Sequence, residues 1–466
     1  MSGAPRRAAV EVCVLGGGPA GCAAAARLAE LGHRTCLVAR ADPVGPPTAE
    51  SLPPSVVPIL ESMNLLAAVQ AAVFQHEDEA WIRWGSANPQ VKRLEPPGWL
   101  VLRPALEQQL RAHAQRAGAQ LVHGTARSFR RRAAGGWLVA VDTPQGPWLV
   151  EAESLVDARG RRPAAAAALA GPRTVALSAP WRPGPGPASP TCIEAGAEAW
   201  FWGCPLPAGH YAATVFLDAA ALRGLRGPQR QALYRQRLAQ ATLLAPLLDG
   251  ERVGPATVRD ATSRTATAPI EADLVRVGDA ACAIDPLSSQ GVQRALVSAA
   301  QAVAALHTLR TARDPAAALE FYRLRHAQAA RRAAAHAAGF CAEAAQAFGS
   351  PFWTARAGTD EPRQARAPMR PANGPLPGRL KLSDAVRLVQ VPVLDGMLIR
   401  YGTALDHPSL EEPAAFVEGM PAALLVGSLA REPAPEQLLA QWATHLPHQV
   451  GLRVLRWMLG HGLLAT

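Results

Sequence analysis

Apolar runs of strand and helix length alternate at the start of the chain. Residues 9–15 are mostly apolar, an alanine-rich stretch of helical character continues to about residue 31, and residues 35–38 are apolar again. Two short apolar runs around a helical segment predict a strand–helix–strand unit, which opens an α/β domain. Similar patterns at residues 151–157 and 274–296 predict that later parts of the chain return to the same domain.

The other segments have different patterns. Residues 174–218 are rich in strand-forming side chains, and residues 315–348 read as long helices of alanine and arginine. Residues 350–378 are rich in proline, glycine and arginine, which is typical of a linker or loop. We therefore expect an α/β domain at 1–175 and 258–312 with an inserted segment at about 45–100, a β-rich substrate domain at 176–257, helices and a linker at 313–378, and a small, possibly winged-helix-like domain at 379–466.

Charge and cysteine content narrow the function classes. The formal net charge is +10, but Lys92 and Lys381 are the only lysines, and the arginines are scattered without a basic run among aromatic residues. The charge therefore does not predict nucleic-acid binding. The seven cysteines show neither a C-x-x-C pair nor metal-ligand spacing, which predicts free thiols and no metal site. Since no uncharged apolar stretch of about twenty residues occurs, we expect a cytoplasmic protein that does not enter a membrane.

A glycine motif joins the first strand to the first helix. Gly16, Gly18 and Gly21 form G-x-G-x-x-G around Pro19 and Ala20. The first glycine permits the turn, the second lets the backbone approach a pyrophosphate, and the third lets the helix pack on the strand. The phosphates would then lie at the positive end of the helix. The motif in this context predicts a dinucleotide-binding site.

The second strand lacks the acidic residue that usually binds a ribose in such sites. Ala39 stands at that position, and Arg40 follows it. We therefore expect Arg40 among the cofactor contacts and a ribose site that differs from the usual one.

A second segment for the same cofactor follows a later strand. Asp279 closes that strand, and a loop with Pro286, Gly291 and Val292 leads into a helix. A carboxylate at a strand end is suited to a ribitol hydroxyl, and the N–H groups of the loop and helix terminus are suited to an anionic isoalloxazine. The two segments together predict FAD.

The motifs resemble those of the class A flavoprotein monooxygenases, over about residues 8–350. The resemblance rests on the glycine motif, on residues 157–160 (Asp-Ala-Arg-Gly) and on residues 278–296, and Arg103 stands where that family places an FAD-contacting arginine. Residues 200–205 (Trp-Phe-Trp-Gly-Cys-Pro) are similar to the W-x-W-x-I-P marker of the tryptophan-halogenase-like branch. The resemblance implies an α/β fold with a Rossmann-like FAD-binding domain of the glutathione reductase and p-hydroxybenzoate hydroxylase type, an inserted β-rich substrate domain and a small C-terminal α+β domain.

The sequence departs from the halogenases at three positions. Glu79 stands where the best match places the lysine that directs hypohalous acid, Ser288 replaces a loop glutamate, and Cys204 replaces the isoleucine of the marker. Residues 286–291 (Pro-Leu-Ser-Ser-Gln-Gly) instead resemble the flavoprotein monooxygenases of tryptophylquinone cofactor biogenesis, of the quinohaemoprotein amine dehydrogenase maturation type. That resemblance implies oxygenation of a tryptophan in a partner polypeptide.

The resemblance also indicates residues for the reaction itself. Trp200 and Trp202 alternate on a strand and therefore face the same side, and Trp202 is expected between the substrate and flavin sites. Ser289 and Gln290, in the loop before the later helix, are further catalytic candidates.

Two polar candidates come from the segment inserted after the second strand. Ser51, next to Glu50, is implied to line a flavin tunnel. Glu79 is a candidate acid or base, although the charge run at residues 76–79 is more typical of a solvated face.

We therefore expect an FAD-dependent monooxygenase that hydroxylates an indole ring through a flavin C4a-hydroperoxide, with O2 as oxidant and a reduced nicotinamide or a flavin reductase as electron source. The substrate is expected to be a tryptophan in a peptide or protein. Two alternatives remain at this point: a halogenase of an aromatic small molecule that uses reduced FAD, and an FAD-containing maturation or binding protein without oxygenation activity. The cofactor carries the chemistry in either enzyme, so the motifs alone do not separate them.

Overall fold

The computed structural model describes residues 5–41, 48–86, 88–161, 167–185, 190–311, 314–358, 376 and 378–465. The chain divides into two compact units. The large unit comprises residues 1–307 and 322–358, and the small unit comprises residues 308–321 and 359–466.

The strands of the large unit belong mostly to two sheets. In chain order they are β1 (Arg6–Leu15), β2 (Thr35–Ala39), β3 (Ala49–Leu52), β4 (Val73–Arg83), β5 (Gln90–Leu102), β6 (Gln120–His123), β7 (Thr125–Arg131), β8 (Trp137–Thr143), β9 (Gly146–Asp157), β10 (Ala167–Leu169), β11 (Thr174–Arg182), β12 (Thr191–Ala195), β13 (Trp200–Pro205), β14 (Tyr211–Asp218), β15 (Glu251–Arg252), β16 (Thr257–Asp260), β17 (Arg264–Ala266), β18 (Leu274–Arg276) and β19 (Cys282–Ala283).

Eight α-helices precede residue 358 in the described part of the chain. They are α1 (Pro19–Glu30), α2 (Val57–Ser62), α3 (Leu66–Gln70), α4 (Arg103–Arg116), α5 (Gly227–Leu238), α6 (Gly291–Thr311), α7 (Pro315–Phe348) and α8 (Pro351–Ala357). Among the helices that the structure describes, none combines the length and the apolar composition that a membrane span needs.

The first sheet has the order β6-β2-β1-β9-β8-β7, with β18 also paired to β9. Strands β6, β2, β1, β9 and β18 are parallel, whereas the hairpin β7–β8 is antiparallel. Every residue of β2 is buried, as expected for a parallel strand covered on both faces. The strand–helix–strand prediction and the α/β fold class are confirmed. Because the strands are parallel, the loops after β1, β2, β9 and β18 meet at one edge of the sheet.

The second sheet unites strands from two distant parts of the sequence. Its order is β15-β11-β14-β13-β12-β4-β5-β3, with β16 also paired to β11. The parallel pair β12–β4, in which Thr191 lies opposite Ala80, joins the segment inserted at about 45–100 to the β-rich segment at 176–257. The two segments expected as separate parts thus share one sheet. The apolar side chains on one face of this sheet, including Trp181 and Phe201, form a buried core. Tyr234 of the neighbouring helix α5 also packs into this core.

The small unit has strands, helices and a core of its own. Its strands are β20 (Lys381–Leu382), β21 (Arg387–Asp395), β22 (Leu398–Asp406), β23 (Phe416–Val417), β24 (Met420–Pro421) and β25 (Leu464–Ala465), and its helices beyond residue 380 are α9 (Ala422–Leu429), α10 (Pro435–Trp442) and α11 (His448–Gly460). Leu425, Leu438 and Leu455 are fully buried in this core, and the Trp442 indole donates to Ser428 at 2.9 Å.

Candidate functional site

A cavity of about 820 Å³ lies in the large unit, at the edge of the first sheet where the parallel strands end. Ligands of open α/β sheets bind at this edge, beyond the carboxyl ends of the strands. The lining comes from the glycine turn after β1, the end of β2, β3, the start of α4, residues 158–161, the inner face of β11, β13, β14 and β16, and residues 277–295.

The three motif glycines have different structural roles. Gly16 has φ +116°, and a Cβ there would lie 2.3 Å from the Ala158 carbonyl oxygen. A Cβ on Gly21 would lie 1.9 Å from the Gly16 carbonyl oxygen, so this glycine lets α1 pack on the turn. Gly18 has φ −78°, and a Cβ there would meet nothing closer than the Arg103 Nη2, at 3.5 Å. The fold itself therefore does not require glycine at position 18. The open space beside Gly18 is suited to a ligand that approaches the backbone closely.

The turn and helix α1 offer the environment that a pyrophosphate needs. Pro19 occupies the first turn of α1, and the first turn contains no acidic residue. The helix therefore presents its unpaired N–H groups and positive end to the cavity, which both Pro19 and Ala20 line. The residues present fit FAD at this edge of the sheet.

Ala39, at the end of β2, occupies the position of the missing carboxylate. It is buried and lines the cavity, and a Cβ added to Gly17 would lie 2.4 Å from the Ala39 Cβ. Arg40 follows, is exposed and lines the cavity. An arginine at this position is suited to a phosphate or to the polar edge of the nucleotide.

Arg103 links two carboxylates at the start of α4. Its Nε donates to the Glu107 Oε1 at 2.7 Å, and its Nη1 donates to the Glu50 Oε1 at 2.9 Å. Arg111 lies 3.7 Å from the other Glu107 oxygen. Burial lowers the pKa of Arg103, but the charges and hydrogen bonds of Glu50 and Glu107 raise it by more. The pKa of Arg103 is therefore raised, and the guanidinium stays charged. The network fixes this side chain in front of the glycine turn.

A second ion pair lies after β18. The Asp279 carboxylate is 3.1 Å from the Arg161 Nε, and Arg161 also donates to the carbonyl oxygens of Thr262 and Ile284 at 3.0 and 2.9 Å. Gly278 has φ +59°, and its N–H donates to the Ser298 hydroxyl at 2.9 Å. These bonds hold Asp279 and the following loop at the cavity.

The loop before α6 is held by its own polar groups. The Asp285 carboxylate accepts from the Leu287 N–H at 3.1 Å, and burial raises the pKa of Asp285. Ser289 adopts a left-handed conformation with φ +48°. Pro286, Ser289, Gly291 and Val292 all line the cavity. The N-terminus of α6 therefore faces the same space as the N-terminus of α1.

The other end of the cavity is aromatic with a floor of small residues. Trp200 is buried and stacks on Phe216, with ring centroids 3.6 Å apart and an angle of 4° between the planes. Trp202 is partly exposed and lines the same side, as the strand alternation predicts. Ser178 accepts from the Thr214 hydroxyl at 2.9 Å, and both lie on the floor formed with Ala176 and Ala212. Because small side chains leave space above the sheet, this end is suited to a planar ring.

Most of the predicted site residues meet at this cavity. The lining includes Gly16, Gly18, Pro19, Ala20, Arg40, Ser51, Arg103, Trp202, Asp279, Pro286, Ser289, Gly291 and Val292. Gly21 lies beneath the turn, and Gln290 and Glu79 are outside the lining. The Glu79 carboxylate instead accepts from the Trp81 indole at 3.2 Å. A register irregularity between Glu77 and Glu79 separates the two side chains, since β5 places Gly98 opposite Glu77 but Arg93 opposite Glu79.

Glu77 is the residue that the sequence pattern did not single out. Its neighbours His76 and Asp78 are exposed, but Glu77 is only 5% exposed. The interpretation of the charge run as a solvated face was therefore wrong for this residue. The Ser51 hydroxyl donates to its Oε2 at 2.8 Å, and burial raises the pKa of Glu77. Strand alternation alone would not have found it, because alternation places Glu77 and Glu79 on the same face.

The described residues contain no cluster of three or more histidine, cysteine or acidic side chains arranged for a metal ion. All seven cysteines are free thiols. Cys204, which replaces the isoleucine of the tryptophan marker, is fully buried, and this burial raises its pKa well above the ordinary range. It therefore acts as a small apolar side chain in the packing below Trp202.

The family model described as "Tryptophan halogenase" matches residues 88–374, more than half of the chain. This chain belongs to the tryptophan halogenase family. The model of glucose inhibited division protein A also matches residues 11–52, which contain the glycine turn. These matches and the glycine cradle confirm FAD as the cofactor.

A curated relative and two solved structures extend the family assignment. The family member described here is 28% identical over 339 residues to tryptophan 2-halogenase of Chondromyces crocatus, a match that covers 67% of this chain and 64% of the length of that relative. The solved structure of "peptidyl tryptophan dihydroxylase QhpG essential for tryptophylquinone cofactor biogenesis" is 28% identical, has a TM-score of 0.76 and matches over 98% of this chain and 100% of that one. The flavin-dependent halogenase CmlS shares the fold at 18% identity, with a TM-score of 0.77 over 98% of this chain and 96% of that one. The resemblance to the tryptophan-halogenase-like branch, including its tryptophylquinone members, is confirmed.

Proposed function

We propose that this family member is an FAD-dependent monooxygenase that hydroxylates the indole ring of a peptide-bound tryptophan, as a step in tryptophylquinone cofactor biogenesis. QhpG, a peptidyl tryptophan dihydroxylase by name, is similar along nearly the whole chain, which supports this substrate class. The seven free thiols suit a reducing, cytoplasmic location.

The ion pairs among the cavity-lining residues favour a peptide-bound tryptophan over free tryptophan as the substrate. Each carboxylate among the described lining residues already has an arginine partner. A free tryptophan would need an unpaired carboxylate for its ammonium group, whereas a peptide-bound tryptophan has no such charge to satisfy. The pairs are Glu50–Arg103 at 2.9 Å, Glu107–Arg103 at 2.7 Å, Asp260–Arg264 at 2.7 Å and Asp279–Arg161 at 3.1 Å.

Bound FAD supplies O2 activation once a reduced nicotinamide or a flavin reductase has provided two electrons. The glycine turn and Arg103 would hold the nucleotide, and Asp279 would contact its ribitol. Trp202 and the stacked pair Trp200–Phe216 would orient the indole ring and exclude water from the ring side of the cavity. Ser178 and Thr214 offer hydroxyl groups for the indole N–H.

A halogenase of an aromatic small molecule is the second candidate, because the family model and the Chondromyces crocatus relative are halogenases by name. The halogenases that this sequence resembles use a lysine ammonium to direct hypohalous acid. The chain has two lysines, and neither Lys92 nor Lys381 belongs to the described lining of the cavity. Lys92 is exposed on β5.

We therefore expect no halogenated product from this protein. The holoenzyme is incubated with a flavin reductase, reduced nicotinamide, O2 and chloride or bromide, together with either free indoles or synthetic peptides that carry one tryptophan. Mass spectrometry should detect oxygen but no halogen on the peptide tryptophan. Chlorinated or brominated indole would favour the second candidate. O2 consumption that does not depend on any tryptophan substrate would instead favour an FAD-containing maturation or binding protein without oxygenation activity.

A further inference from the structure

A buried carboxylate lies one hydroxyl group away from the cavity. Glu77 on β4 is 5% exposed, and its Oε2 accepts from the hydroxyl of Ser51, which lines the cavity. Its second oxygen, Oε1, is buried and has no hydrogen-bond partner among the described residues. The Thr191 hydroxyl, on the neighbouring strand β12, is buried close enough to Glu77 to lower the pKa of this carboxyl, but it does not meet hydrogen-bond geometry. Burial of a carboxylate with one unpaired oxygen destabilises the fold, because the carboxylate loses its hydration. An apolar side chain or an amide would avoid this cost if the residue had only a structural role.

The groups that face Glu77 do not supply a compensating charge. They are Cys192 on β12, Cys204 on β13 and Tyr211 on β14, and Glu50 on β3 interacts with Cys204 as well. Glu50 is neutralised by Arg103, and the described part of the chain shows no ion pair for Glu77 itself. Burial raises the pKa of Cys192, Cys204 and Tyr211, so these three groups stay neutral. Burial likewise raises the pKa of Glu77, and the Thr191 and Ser51 hydroxyls oppose this effect only in part.

We propose that Glu77 is a proton-relay residue that exchanges a proton with the cavity through the Ser51 hydroxyl. The proton leaves the Glu77 carboxyl for the Ser51 oxygen as Ser51 releases its own proton into the cavity, and the reverse transfer restores Glu77. This inference deepens the proposed function and depends on it for the identity of the proton acceptor.

The proposed reaction needs such an exchange. Hydroxylation converts an aromatic C–H, O2, two electrons and two protons into C–OH and water. The electrons come from the reduced nicotinamide or flavin reductase, one oxygen atom bonds to the ring, and the other leaves as water. Glu77 would supply a proton to the oxygen that becomes water and recover the one that the ring carbon releases. Positioned proton transfer of this kind contributes about 100-fold or more to the rate.

The first test measures the proton directly, without turnover. Infrared spectra of the full-length FAD-bound protein are recorded across a pH titration and compared with those of Glu77→Gln. The control is Asp78→Asn, which makes the same acid-to-amide replacement at the next, exposed residue. We expect a protonated-carboxyl band that titrates above the ordinary glutamate range, disappears in Glu77→Gln and persists in Asp78→Asn. Ser51→Ala should raise the pKa of this band, because it removes a donor to the ionised form.

The second test measures hydroxylated peptide per O2 consumed, as a function of pH, on synthetic peptides with one tryptophan. Glu77→Gln should lower the rate of hydroxylation about 100-fold, lower this ratio and remove one limb of the pH profile. Ser51→Ala should do so in part, and Asp78→Asn should match wild type. A Glu77→Gln protein with wild-type coupling and pH profile, or the absence of a Glu77 band, overturns the relay. If the band titrates and shifts as expected but wild type makes no hydroxylated peptide, the relay stands and the proposed function fails. Circular dichroism checks the fold of each variant. If Glu77→Gln does not fold, Ser51→Ala provides the test. An unaltered carboxyl band and an unaltered pH profile in Ser51→Ala would contradict the relay.

Discussion

Replacement of Gly18 by valine is expected to produce a folded protein without FAD. The backbone at position 18 is in an ordinary extended conformation, and the nearest atoms to an added Cβ are the Arg103 Nη2 at 3.5 Å and the Glu107 Oε1 at 3.9 Å. The fold therefore tolerates a side chain there, while the branched carbons fill the space that the pyrophosphate needs. We expect FAD affinity to fall at least about 100-fold, which corresponds to roughly 2.7 kcal/mol.

The measurement is flavin absorbance of the purified protein and FAD titration of the apoprotein, with circular dichroism to verify folding. Gly339→Val is a matched control, because Gly339 lies on α7 with no atom within 4 Å of an added Cβ and should retain FAD. Gly21→Ala is not a suitable comparison, since its Cβ would lie 1.9 Å from the Gly16 oxygen and would disturb the turn itself. Full FAD occupancy in Gly18→Val would contradict the placement of the pyrophosphate.

Deletion of residues 380–466 is expected to leave FAD binding largely intact but to abolish most turnover of a polypeptide substrate. The described lining of the cavity comes entirely from the large unit, and the deleted residues bury their apolar side chains in a separate core. A polypeptide substrate gains binding energy from surfaces remote from the reacting ring, and this energy positions the ring. The net charge of +10 favours an acidic polypeptide.

The truncated protein is compared with the full chain for flavin content and for the rate of hydroxylation of an acidic, tryptophan-containing polypeptide. N-acetyltryptophan amide serves as the control substrate, because it offers an uncharged indole without any docking segment. We expect a loss of at least about tenfold on the polypeptide and little change on the small amide. An insoluble or flavin-free truncation would mean that residues 380–466 complete the fold, and undiminished activity on the polypeptide would remove the docking role.

The cofactor half of the site could be predicted from the sequence because its determinants are local. The glycine turn follows β1 and Asp279 follows β18, and these parallel strands bring their carboxyl ends to one edge of the first sheet. The Pro286 loop comes soon after Asp279 along the chain. The alternation of Trp200 and Trp202 likewise gave their common side from the strand period alone. In these places a few adjacent residues determine the geometry.

The substrate half depends on contacts between distant segments, which periodicity does not show. The pairing of β4 with β12 joins residues more than a hundred positions apart, and Thr191 of β12 lies close enough to Glu77 to lower the pKa of its carboxyl. The irregularity between Glu77 and Glu79 then separates two acids that the sequence pattern treats alike. The close approach of Ala39 to Gly17, which leaves no room for a Cβ on Gly17, is likewise a contact that a motif comparison does not contain.

The most direct test of a peptidyl tryptophan monooxygenase is isotope incorporation from ¹⁸O2. The full-length FAD-bound protein is supplied with a flavin reductase, reduced nicotinamide, chloride and peptides that carry one tryptophan among acidic residues, and the products are analysed by tandem mass spectrometry. We expect oxygen-18 on the tryptophan ring, one atom per hydroxyl group formed, and no chlorine. Chlorine on the ring, or O2 consumption that yields only hydrogen peroxide while the tryptophan stays unmodified, would contradict it.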